Sequence, residues 1–121
     1  MTDEPYADPR DAAIVALSRW VDGSPSYVGV SPEAISWRRI TKLVEEAGEV
    51  INAFGGSLGE NPRKGQTHTL ADVEHELLDV ALSALGALAH LRGNSHSAGL
   101  MSALEAHAVS RAERAGLQVA S

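Results

Sequence analysis

Apolar residues return every three to four positions through two long stretches of this chain, the period of amphipathic helices. Ile40, Leu43, Val44, Ala47, Val50, Ile51 and Phe54 fill one arc of about 120° on an ideal helix. Val73, Leu77, Leu78, Val80, Ala81, Ala84, Leu85 and Leu88 form a second such stripe. Turn and cap residues divide the chain around them. A first helix is expected from about Asp11 to Val21, ended by Asp22-Gly23-Ser24-Pro25. Ser31-Pro32 reads as an N-cap followed by proline at the first helical position, opening a second helix that Gly55-Gly56 should stop after Phe54. A loop from Gly55 to about His68 follows. Thr69 caps a third helix, with Asp72 near its positive end, and that helix reaches about Leu91 before Gly93-Asn94. A fourth runs from about Ser97 to Ala115. The expected fold is therefore all-α, a four-helix bundle-like domain spanning residues 1–121.

Composition narrows the classes of function. A chain of 121 residues has room for one core and no second domain. The net charge of −6 argues against a nucleic-acid polymer as partner, since such binders carry a basic face. It leaves open a single nucleotide carried in with its own cation. The absence of cysteine removes disulfides, thiolate zinc sites and thiol catalysis together. Asp3, Glu4, Pro5 and Asp8 stand where a signal peptide would be basic and then apolar, and the best apolar run, Val80 to Ala89, is half the roughly 20 residues of a membrane span. A cytoplasmic location with no membrane partner is the expectation.

The chemistry lies in two acidic signatures, Glu45-Glu46-Ala47-Gly48-Glu49 and Glu76-Leu77-Leu78-Asp79. Carboxylates three apart share a helix face, and like charges there cost about 0.2–0.5 kcal/mol per pair unless something positive stands between them. Glu46 lies about 40° outside one edge of its apolar arc, with Glu49 about 60° further round. Glu76 and Asp79 repeat that offset on the third helix, about 40° and then 60° beyond its stripe. Two helices packed side by side would converge four carboxylates on one groove, a donor set suited to a hard cation such as Mg²⁺. Glu45 points nearly opposite the core. Against this stands the plain alternative that helical acids form a solvated face, with Lys42 pairing Glu46 at i, i+4.

The run Lys42-Leu43-Val44-Glu45-Glu46-Ala47-Gly48-Glu49-Val50, followed by Glu76-Leu77-Leu78-Asp79-Val80, resembles the MazG-like nucleotide pyrophosphohydrolases. The signature of that family is Glu-Glu-x-x-Glu, a variable insertion, then Glu-x-x-Asp. The resemblance covers roughly residues 31–92. It implies a MazG-type all-α fold in which helices of two subunits often complete one site, hence a homodimer or homotetramer. It also implies Mg²⁺-dependent hydrolysis, with Mn²⁺ as a substitute, of a nucleoside triphosphate to monophosphate and pyrophosphate. Glu46, Glu49, Glu76 and Asp79 match the family's metal ligands, and Glu45 matches the first acid of its double-Glu pair. A superfamily relative acting on dUTP or phosphoribosyl-ATP, and a non-catalytic self-associating helical bundle, are the alternative readings.

Basic residues near the motif offer phosphate contacts. Lys42 stands one turn before Glu46; Arg63 and Lys64 sit on the loop between the two acidic helices, where they could close over a triphosphate or remain solvated. Gly55-Gly56-Ser57-Leu58-Gly59 matches the nucleophile pattern G-x-S-x-G, but that elbow needs a strand before it. A di-iron bundle needs Glu-x-x-His, which none of the five histidines completes. His107, on the Leu100 and Leu104 face, is expected to pack or to form an inter-helix hydrogen bond; Trp20, Trp37 and Tyr27 could stack on a base, but packing in the interior is the expectation.

Overall fold

The computed structural model describes residues 8–119, and among these there are four helices and no strand. Helix α1 spans Pro9–Asp22, α2 Pro32–Ser57, α3 Leu70–Leu91 and α4 Leu100–Arg114, with a short 3₁₀ turn at Pro25–Tyr27. The caps are those the residue types call for. Asp8 accepts from the Arg10 amide, and Ser31 from the Ala34 amide with Pro32 at N1. Thr69 and Asp72 form a reciprocal box, the Asp72 amide donating to Thr69 Oγ1 at 3.2 Å and the Thr69 amide to Asp72 Oδ2 at 2.8 Å.

Two boundaries differ from the sequence reading. Helix α2 runs through Gly55-Gly56 to Ser57. Interior glycines cost a helix up to about 1 kcal/mol each relative to alanine, but here their bareness is used. A Cβ on Gly55 would strike the Glu60 carboxylate, and one on Gly56 the Thr67 hydroxyl and the His68 ring. The loop thus lies flat on the helix end, with the Glu60 amide donating to the Gly55 carbonyl at 3.1 Å and Thr67 to Gly56 at 3.0 Å. The residue that turns the chain is Gly59, with φ +64°. Helix α4 begins at Leu100 rather than Ser97 because its cap is remote. The buried Asp11 carboxylate of α1 accepts from the Leu100 amide at 3.0 Å and the Met101 amide at 2.9 Å, satisfying two orphan donors at the positive helix end.

Helices α2 and α3 form an antiparallel hairpin. Ser36, near the start of α2, meets His90 near the end of α3, and Thr67, just before α3, meets Gly56 near the end of α2. Helix α1 packs on the C-terminal half of α3. The closed core is small: Ile14, Val15, Ala89, Ala98 and Leu100, flanked by Leu85, Leu88 and Met101.

That core leaves much of both stripes uncovered. Of the α2 arc, Ile40, Val44, Ala47, Ile51 and Phe54 face solvent, with Val44 and Ile51 about three-quarters exposed (75% and 74%). Leu43 and Val50 turn toward α3 beside buried Ala53. The hairpin therefore closes through one edge of each arc rather than through the whole stripe. Trp37, Ile40, Val44, Ala47, Ile51, Phe54 and Leu58 recur at alternating steps of three and four, a heptad seam with nothing against it among the described residues. Leu70, Leu77, Ala81, Ala84 and Leu91 continue it on α3. The interior packing expected of Trp20 and Trp37 is not found, since they are 77% and 64% exposed. Tyr27 is half-buried under the Arg38 guanidinium, 5.6 Å from its ring centroid. His107 also faces solvent, because α4 is anchored at its N-terminal end and its Leu104 face is left open.

Candidate metal centre

Helices α2 and α3 bring three of the four expected ligands together. Glu46, Glu49 and Glu76 each present a carboxylate oxygen, and the three lie within 4.8 Å of one another. The convergence follows from the wheel offsets. Glu46 sits where the arc turns into the hairpin, Glu76 sits at the same edge of α3, and Glu49 one turn along closes the third corner. Asp79 stands beside this triplet, with its Oδ2 3.9 Å from His75 Nε2 one turn back. Glu45 does not join the cluster; it is exposed and paired with Lys42 at 3.4 Å. The same Lys42 ammonium lies 3.8 Å from Glu46, so the intrahelical pairing weighed from sequence is present. Lys64 lines a cavity of about 810 Å³ between the loop and α2, together with Asn52, Asn61 and His68. Arg63 has its backbone turned onto Asn61 Oδ1 at 3.0 Å.

The electrostatics of the cluster are strained. Desolvation raises the pKa of Glu46, and the nearby Glu49 charge raises it further, outweighing Lys42. Desolvation and Glu49 likewise raise Glu76. Glu76 Oε2 is buried with no hydrogen-bond partner among the described residues. A buried carboxylate oxygen without a donor is costly, and three carboxylates at this spacing compound the cost. An oxygen-seeking divalent cation would answer both problems at once. The three carboxylates could hold such an ion.

A second polar constellation went unread in the sequence. Asp22 accepts from Arg39 at 2.7 Å, from His90 Nδ1 at 2.7 Å and from Asn94 at 2.9 Å. Arg39 also donates to Ser18 Oγ at 3.0 Å, and Gly86 leaves the space its guanidinium enters. His90 Nε2 meets Ser36 Oγ at 2.7 Å. Ser36, His90 and Asp22 thus have the bonding order of a hydrolytic triad. Such a triad also needs an open site and oxyanion donors, and neither Ser36 nor His90 lines any of the three main cavities. The constellation ties α1, α2 and α3 together. Its partners lie 17 to 76 residues apart, and no local motif announces them.

Comparison of the chain with known protein families, with curated proteins and with solved structures found no match.

Proposed function

We propose that the chain is a Mg²⁺-dependent nucleoside triphosphate pyrophosphohydrolase of the MazG-like kind, cleaving a triphosphate to monophosphate and pyrophosphate. The observation that carries this reading is the convergence of Glu46, Glu49 and Glu76 around a buried, unpartnered Glu76 oxygen. Glu46, Glu49 and Glu76 would hold the cation, with Asp79 the fourth carboxylate at the rim. Bound there, the cation would neutralise charge on the phosphate oxygens during phosphoryl transfer. Lys42, which pairs with Glu45 and lies beside Glu46, would meet a substrate phosphate. Arg63 and Lys64, on the loop, would add phosphate contacts.

The same reading includes self-association. Monomers seldom expose contiguous apolar patches beyond a few hundred Å², and the heptad seams of α2 and α3 match a second hairpin of the same kind. A homodimer, or a tetramer built from it, would cover them. Sedimentation at micromolar concentration should show at least a dimer, and Val44→Lys with Ile51→Lys should yield monomer. A wild-type chain that sediments as a monomer throughout would remove this part of the reading. For the activity, pyrophosphate release should be assayed across canonical and damaged nucleoside triphosphates, dUTP and phosphoribosyl-ATP with Mg²⁺ or Mn²⁺. No release from any of them would leave the self-associating bundle as the better account.

A further inference from the structure

We draw no further inference here: the strongest candidate, the cavity of about 810 Å³ between the α2–α3 loop and the end of α2, lined among others by Asn52, Lys64 and His68, belongs to the phosphate side of the site already described.

Discussion

Two polar clusters lie along the α2–α3 hairpin, and their accounts differ. Around Asp22, one carboxylate is met by a guanidinium, an imidazole and an amide, and burial is outweighed by those hydrogen bonds, leaving its pKa below the ordinary 3.8. Around Glu76, carboxylate faces carboxylate, an oxygen is buried alone, and the pKa values of Glu46 and Glu76 stand above the ordinary 4.5. The first cluster is complete within the chain. The second leaves one carboxylate oxygen without a donor among the described residues. The first contributes its own hydrogen bonds to the fold, whereas the second sets like charges together at a cost, and the proposed cation would offset that cost.

The largest expected effect comes from removing a cluster carboxylate. Glu49→Gln or Glu76→Gln keeps size but loses an anionic ligand, and turnover should fall about 100-fold or more, the upper range for perturbed metal sites. Without metal the variants should fold as well as the parent or slightly better, since repulsion is relieved. Near-normal pyrophosphate release by both variants would end the contrast drawn above.

The opposite pattern is expected at Asp22. Asp22→Asn leaves the nearly buried Arg39 without its counter-ion and should cost about 2 kcal/mol, the scale of hydrogen bonds to charged groups. Activity per folded molecule should change little. A urea midpoint equal to the parent's would mean the knot contributes no net stability.

A pH series separates the two clusters by sign. Glu46 and Glu76 bind protons more readily folded than unfolded, so the metal-free protein should lose stability as pH rises from 4.5 through their raised folded values. Asp22 behaves conversely: its contribution is present above 3.8 and is lost as pH falls through its lowered folded value. Denaturation midpoints should therefore fall on both sides of a maximum near the ordinary carboxylate range. Glu76→Gln should flatten the upper limb and Asp22→Asn the lower one. Saturating Mg²⁺ should also abolish the upper limb, because binding favours the ionised cluster. A maximum unmoved by metal or by either substitution would refute the assignment.

What the sequence disclosed follows the range of the interactions involved. Helix periods, the Ser31 and Thr69 caps and the wheel offset of Glu46 and Glu76 are local, and all are present. Gly55-Gly56 misled because a helix-ending pair and a pair that admits the Glu60, Thr67 and His68 side chains look the same until the loop is placed. The remote Asp11 cap and the Asp22 knot depend on residues many turns apart, where periodicity is silent. Trp20, Trp37 and the open half of each stripe escaped for another reason. Hydrophobicity says that a surface wants covering, but not that the same chain covers it.

The smallest effect is expected at the loop. Lys64 lines the large cavity beside Asn52 and His68, and Arg63 makes no ion pair in the described structure, so both cations are available to a triphosphate. They are exposed, and exposed charges act weakly, at about 0–1 kcal/mol each. Arg63→Ala with Lys64→Ala should therefore raise KM only several-fold, leave kcat near the parent value and leave Mg²⁺ affinity of the free protein unchanged. Protease cutting between Asn61 and Gly65 should slow when Mg²⁺ and a non-hydrolysable triphosphate are both present, and less so in the double variant. Equal KM values together with equal cutting rates would make the loop a solvated connector, and would leave Lys42 as the phosphate contact of the site.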